Sequence, residues 1–384
     1  MVAALGVGVT QADLKFEGKQ NRTRLRFAAS MPQRLGLTGS APHHTRESAY
    51  TRRMLFLIPH LFPPPRLLES AAPDLSLPAL QTLLARGTRI ASPDEGTEAA
   101  LCAACGIARQ QDWPLAPITL AADGGAGEGY WLRADPVHLR VMRDRIVLAD
   151  CSSFALSQQE ADALAASIGQ HFGDDLSLLP LHPTRWYLHV ALAPDLRTTP
   201  LSVASGRDIQ PLLPQGEDAR RLRGVLNELQ MLLFEHPVNL AREARGELPV
   251  NSVWLWGGGT APAGPAKKTA IFAQDATARA LGTFSGSAVY PLPPQLDPSL
   301  LKTAGVVVLD ALTPAGQCGD AYSWRESMRE LEQSWFGPLL AALPMLDSTG
   351  VCLLDPTSGK GLQLHARDGW KIWRRPRLLI TMLA

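Results

Sequence analysis

The sequence predicts an α/β protein with a mostly parallel sheet and a smaller α+β unit inserted into it. Three observations carry this. Apolar runs of strand length alternate with helical periods along most of the chain. Several of the later runs are continuous rather than alternating, as strands buried on both faces of a parallel sheet require. Finally, the glycine-rich stretch Asp123–Gly129 opens a segment whose own β-α-β pattern, about 130–193, closes before the Pro-rich residues 194–214.

In chain order, the expected strands are 55–58, 146–149, 186–192, 253–256, 270–273, 306–310 and 351–354. Ser157 and Glu160 form a capping box ahead of a buried stripe at Ala161, Leu164, Ala165 and Ile168. Ser323 and Glu326 suggest another, ahead of Met328, Leu331, Trp335 and Leu339. Leu222, Val225, Leu226, Leu229, Leu232 and Leu233 form a third stripe, which His236-Pro237 ends. The expected organisation is 1–53 as a disordered or spurious extension ahead of a functional start at Met54, then 54–126 and 206–384 as the main domain and 127–205 as the inserted cap.

Of 384 residues, 46% are apolar and 19% charged, enough for a sizeable core and too apolar for global disorder. The net charge of +1 supplies no overall field for nucleic acid or an acidic membrane, and neither is an expected partner. Charge is nevertheless uneven. Residues 1–53 hold nine Lys/Arg and three Asp/Glu, an excess of +6, leaving 28 basic and 33 acidic residues in the remainder. No run of eighteen apolar residues occurs, so no membrane span is expected. The scattered cysteines, Cys102, Cys105, Cys151, Cys318 and Cys352, fit a reducing cytoplasm. Cys102 and Cys105 read as two small buried side chains one helical turn apart, because a zinc site needs about four ligands.

Candidate binding residues come next. Trp254-Leu-Trp-Gly257-Gly258-Gly259 runs a strand into three glycines, which can cradle an anion or simply make a tight turn. His236, Asn239, Arg242, Arg245 and Asn251 lead into it. Arg133 can hold a phosphate or carboxylate bidentately, or pair with Asp135; Arg207-Asp208 offers a second such pair. There is no Gly-x-Ser-x-Gly elbow, HExxH or Walker motif.

In order, these stretches resemble the archaeal-type cofactor-independent phosphoglycerate mutases of the alkaline phosphatase superfamily, over nearly all of 54–384. His236-Pro-Val-Asn239…Arg242…Gly246…Pro249-Val-Asn251-Ser-Val-Trp254-Leu-Trp256-Gly257 is similar to one family segment. Ala315-Gly-Gln-Cys-Gly-Asp320 with Phe336-Gly-Pro-Leu-Leu340 is similar to a second, and Arg133-Ala-Asp135 with the inserted unit to a third. Tyr130–His138 and Trp254–Gly259 further resemble a proteobacterial branch of RpfE-type regulatory proteins and predicted mutases. The resemblance implies a three-layer α/β/α core with a cap, and two Mn²⁺ or Mg²⁺ ions held by Asp and His beside a Ser nucleophile.

The departures from that pattern shape the functional expectation. Pro59-His60 stand where the family has Asp-Gly, and Thr313 and Gln317 where it has Asp and His. Asp355-Pro356 stands for Asp-His, and Thr97 and Glu98 stand where a Ser nucleophile is sought. Asp355 and His365 are kept, with His60 and Asp310 as residual metal candidates. A phosphoryl transfer that relies on two cations loses orders of magnitude without them. The expectation is therefore a mutase-like protein with a degenerate site that binds a small anionic ligand between core and cap through Arg133, Asp135, Arg207, Asp208, Asn239, Arg242, Asn251 and Gly257–Gly259. The alternatives are an active 2,3-bisphosphoglycerate-independent mutase with rearranged ligands, and a protein-interaction module with a Trp-bearing surface.

Overall fold

The computed structural model describes residues 53–149, 155–263, 267–346 and 348–384. The basic segment 1–52 and Cys151 lie outside them. The described chain divides into two units, 109–261 and 53–108 with 262–384. The inserted unit is thus larger than the expected 127–205. Residues 206–261 were expected in the main domain, but their helices and strand build the core of the insert.

The main unit opens with β1 (Met54–Leu57), buried throughout. Prolines at the first helical position start α1 (Pro65–Ala71) and α2 (Pro78–Arg86), where the missing N–H costs no helical bond. β2 (Thr88–Ala91) and α3 (Thr97–Ala104) follow.

The inserted unit contains α4 (Leu115–Ala122), β3 (Tyr130–Val141), β4 (Ile146–Ala149), α5 (Gln158–Phe172), β5 (Leu178–His182), β6 (Arg185–Val190), α6 (Ala219–Phe234), α7 (Pro237–Ala244) and β7 (Ser252–Gly259). The strands run β4-β3-β6-β5, with β7 also on β3, and every pairing is antiparallel. This corrects the reading of 253–256 as a parallel strand. All eight β7 residues are buried, and burial on both faces, whatever the pairing, produces the continuous apolar run. The Ser157 capping box on α5 is present, both halves bonded. The α5 and α6 stripes meet Leu132, Ala134, Val253 and Leu255 in one core.

The main unit resumes with β8 (Ala270–Phe272), α8 (Ala276–Ser285), β9 (Val289–Tyr290), β10 (Gly305–Val308), α9 (Thr313–Cys318), α10 (Ala321–Leu331), α11 (Gly337–Ala342), β11 (Val351–Asp355), β12 (Lys360–Leu364) and α12 (Leu379–Leu383). The sheet order is β2-β12-β11-β1-β10-β8-β9. β9, β8, β10, β1 and β11 run parallel to one another, and β12 is antiparallel to both β11 and β2. Met54, Phe56, Val307, Val351 and Leu353 face a core shared with α1, α2, α10 and α11. Alternation leaves Leu55, Leu57, Val306 and Val308 for the other face, where α3 meets β10 and α8. This is the expected α/β class with a mostly parallel sheet.

Two local expectations need correction. The α10 N-cap is Asp320, which accepts from Tyr322 N and Ser323 N, so Ser323 lies inside the helix. A π-helical turn over Glu332–Phe336 separates α10 from α11. It brings the Glu332 carboxylate onto the amides of Ala79 and Leu80 at the start of α2, at 2.6 and 3.0 Å. No described helix is long and apolar enough to cross a membrane.

Candidate functional site

In open α/β sheets, ligands bind beyond the carboxyl ends of the strands. Here that edge gathers the residues after β1, β10 and β11. Val308 pairs with Leu57, and Leu57 with Leu354, so His60, Asp310 and Asp355 follow neighbouring strands. Gly96, at φ 94°, donates its amide to Pro356 O at 3.1 Å, which brings Thr97 and the start of α3 to the same edge.

Asp355 is fully buried. Its Oδ1 accepts from His60 N at 3.2 Å, Thr357 N at 2.9 Å and Thr357 Oγ1 at 2.6 Å; its Oδ2 accepts from Phe62 N and Ser358 Oγ, both at 2.9 Å. Five donors surround two oxygens. The carboxylate therefore folds the β1 loop and its own turn. His60 holds a left-handed φ of 63°, a conformation that costs a non-glycine residue roughly 1–2 kcal/mol and that these bonds help maintain. Its carbonyl accepts from Trp324 Nε1 at 3.1 Å. Its ring lies so close to Gly316 that a Cβ there would stand 2.3 Å from His60 Cγ. Gly316 is thus what lets α9 settle against the imidazole.

Asp310 is exposed, and its carbonyl accepts from Thr313 N at 2.8 Å. Nearby Asp275 caps α8 through Ala278 N at 2.8 Å; burial, reinforced by the Asp310 charge, raises its carboxyl above the ordinary range. Thr313 Oγ1 is buried without a hydrogen-bond partner among the described residues.

His365 is elsewhere. Leu364 pairs with Val351 and Lys360 with Asp355, so His365 follows the end of β12 beside the start of β11. Asp355 lies four residue steps along the strand from Val351, roughly 13 Å at about 3.3 Å per step. His365 instead caps a turn with Asp368, whose Oδ2 accepts His365 N at 2.8 Å.

Two divalent ions, implied by the resemblance, do not fit this donor set. Asp355 is saturated, His365 stands at the opposite sheet end, and Thr313 and Gln317 supply neither charge nor imidazole. Among the described residues, no three His, Cys, Asp or Glu side chains are arranged to hold a metal ion. Cys102 and Cys105 are buried thiols, both pushed up by desolvation.

The residues expected to hold an anion in the inserted unit are engaged internally. Arg133 binds Asp135 at 2.8–3.0 Å through Nε and Nη2, and its guanidinium lies over Trp256 at 5.0 Å and Tyr187 at 5.4 Å. Asp135 also accepts Trp256 Nε1 at 2.7 Å and Trp186 N at 3.3 Å. Burial raises its carboxyl pKa, and Arg133 and the Trp256 bond oppose the rise. Asn239 satisfies Leu233 O, Val250 O and Val250 N, tying the end of α6 to the entry of β7. Arg242 bonds Leu248 O and the capping Glu160, while Asn251 exchanges two bonds with the Leu139 backbone and extends the ladder.

Gly257–Gly259 are part of β7 rather than a loop. Gly257, at φ 66°, takes up a register shift against β3. A Cβ on Gly258 would stand 2.4 Å from Tyr130 Oη, and one on Gly259 would stand 2.6 Å from Pro114 Cβ. Arg207 is exposed, and Asp208 Oδ1 accepts Gln210 N at 3.2 Å. Arg133, Asp135, Asn239, Arg242 and Asn251, read from the sequence as ligand contacts, thus carry internal hydrogen bonds.

Sequence reasoning missed Asp112. It is buried and accepts from Thr198 N and Oγ1, while Thr198 Oγ1 accepts from Gly257 N. Desolvation raises its carboxyl despite these bonds. The Thr198 partner lies 86 residues away, so no local pattern could have marked it.

Comparison with known proteins agrees with the resemblance. The chain is 25% identical over 284 residues to a 2,3-bisphosphoglycerate-independent phosphoglycerate mutase from Methanosarcina mazei, covering 66% of this chain and 70% of that one. It is 31% identical over 153 residues to a probable mutase of the same description from Geobacter sulfurreducens, covering 39% and 38%. The match to the Methanosarcina barkeri enzyme likewise spans only 37% of that relative. The chain thus spans well under half of these last two relatives. Among solved structures, a Pyrococcus horikoshii protein, PH0037, aligns at TM-score 0.43 and 15% identity over 84% of this chain and 93% of that one. A cofactor-independent phosphoglycerate mutase from Thermoplasma acidophilum aligns at 0.38 and 16% over 82% and 89%. No family model matches.

Proposed function

We propose that this chain is a phosphoglycerate-mutase-like protein that acts in the cytoplasm by binding rather than by phosphoryl transfer, in a regulatory role like that implied by its RpfE-type resemblance. The observation that carries the reading is Asp355. This carboxylate, kept from the expected metal shell, spends both oxygens on five protein donors. Without paired cations, the charge that develops during phosphoryl transfer has no counterweight, and turnover falls by orders of magnitude.

A small phosphorylated ligand remains the natural occupant, by analogy with the mutases. Its place is the carboxyl edge of the parallel sheet, where Thr97 at the start of α3 and the enclosed Thr313 hydroxyl offer hydrogen bonds. Purified protein given 3-phosphoglycerate and Mn²⁺ in an enolase-coupled assay should show no turnover above background. Calorimetry should show phosphoglycerate binding without stoichiometric Mn²⁺ uptake, weakened by Thr313→Val. Turnover that disappears in Thr97→Ala would refute the reading.

A further inference from the structure

The last stretch of the main unit carries a surface unrelated to the sheet edge. Between Arg367 and Arg377 stand five basic residues (Arg367, Lys371, Arg374, Arg375 and Arg377) and one acidic residue, Asp368, a net +4. Lys371 is committed: its Nζ lies 2.6 Å from Asp368 Oδ1 and donates to Arg86 O at 3.2 Å. Arg374, Arg375 and Arg377 are exposed, and their guanidinium groups make no ion pair among the described residues. Trp370, Ile372, Trp373 and Leu378 are interleaved with them and are 72–74% exposed. Successive tight turns hold this display, with Lys371 N on Asp368 O, Ile372 N on Trp370 O and Arg374 N on Lys371 O at 2.8–3.2 Å. Trp373 and the three arginines also border a groove of about 640 Å³, together with Arg89 and Met382.

Four large apolar side chains exposed to this extent, within a basic stretch, call for an anionic partner with an apolar layer. Charge argues against the chain's own segment 1–53, with its +6 excess, and against the same face of a second copy. The apolar side chains stand out from the surface, whereas protein-binding hot spots sit in closely packed pockets. A nucleic acid could stack on the two tryptophans but would leave Ile372 and Leu378 in water. A lipid headgroup layer satisfies every group at once. Tryptophan favours the interface, aliphatic tips reach the acyl boundary, and arginines meet phosphates.

We propose that residues 367–378 form a peripheral docking face for an anionic lipid bilayer, with Trp370, Ile372, Trp373 and Leu378 entering the headgroup region and Arg374, Arg375 and Arg377 contacting lipid phosphates. The net charge of the whole protein conceals this local field, and the lack of a membrane-spanning helix among the described residues does not bear on surface docking.

The test is flotation of the full chain with vesicles of phosphatidylcholine containing phosphatidylglycerol, and with phosphatidylcholine alone. Binding should be confined to the anionic vesicles and weaken with salt. Each arginine removed should cost about fivefold in affinity, so Arg374→Gln with Arg375→Gln should lose about twenty-five-fold. Trp370→Ala with Trp373→Ala should lose about tenfold or more, with an unchanged circular dichroism spectrum because both rings are already in solvent. Equal binding to neutral vesicles, no binding to either, or unchanged binding of both variants would overturn the proposal. So would displacement from vesicles by a single-stranded oligonucleotide, which would reassign the face to nucleic acid.

Discussion

Asp355→Ala separates a structural carboxylate from a metal ligand. The substitution removes the acceptor for the amides of Phe62 and Thr357, which are fixed by the backbone and cannot turn away. His60 N keeps a second acceptor in Thr357 Oγ1 at 3.1 Å, and the Thr357 and Ser358 hydroxyls can rotate. Two stranded buried donors at about 1–3 kcal/mol each, partly offset by relaxation of the left-handed turn at His60, give a loss of about 2–5 kcal/mol. With a urea slope of about 2–3 kcal/mol/M, the midpoint should fall by about 1–2 M. Asp355→Asn should be little better, because its amide group would present a donor to donors. The assay is urea unfolding of both variants, followed in parallel with Mn²⁺ titration. If both variants unfold at the parental midpoint while the parent takes up Mn²⁺ and the variants do not, the carboxylate serves a metal and the structural argument fails.

Three further outcomes follow from the inserted unit. Asp135→Leu should destabilise by about 3–5 kcal/mol, since it leaves Arg133 buried and unpaired; adding Arg133→Leu should recover much of that loss in a double-mutant cycle read by urea unfolding. Gly258→Ala should cost about 1–3 kcal/mol by driving a methyl group into Tyr130 Oη, and Tyr130→Phe should relieve part of it, read as melting-temperature shifts. Burial works against the Asp123 carboxylate, but bonds from Arg185 and Tyr187 outweigh it and hold its pKa below the ordinary value. Its stabilisation is therefore present above the ordinary carboxylate pKa, about 3.9, and is lost as pH falls through the lowered one. Asp123→Asn should flatten the acid limb of stability against pH, and an unchanged limb would contradict this.

Residue pattern was enough to establish the α/β class. Continuous apolar runs marked β1, β10 and β11 because strands buried on both faces leave no room for polar residues. Ser157 and Glu160 marked the start of α5 because a capping box closes within one helical turn. Polar or short strands escaped notice: β2, β9 and β12 lie toward the sheet margins, where burial imposes little pattern. Tertiary structure alone decided the extent of the insert, because β7 joins β3 through pairing across more than a hundred residues of chain. It also decided what the polar residues do. Arg133, Asn239, Arg242 and Asn251 suit an anion or a buried backbone equally well by residue type. Only the positions of Asp135, Val250, Glu160 and Leu139 around them show that the fold already engages them in internal hydrogen bonds. His365 makes the same point: the family resemblance set it beside Asp355 as a residual metal candidate, but a hairpin carries it to the far end of the strand.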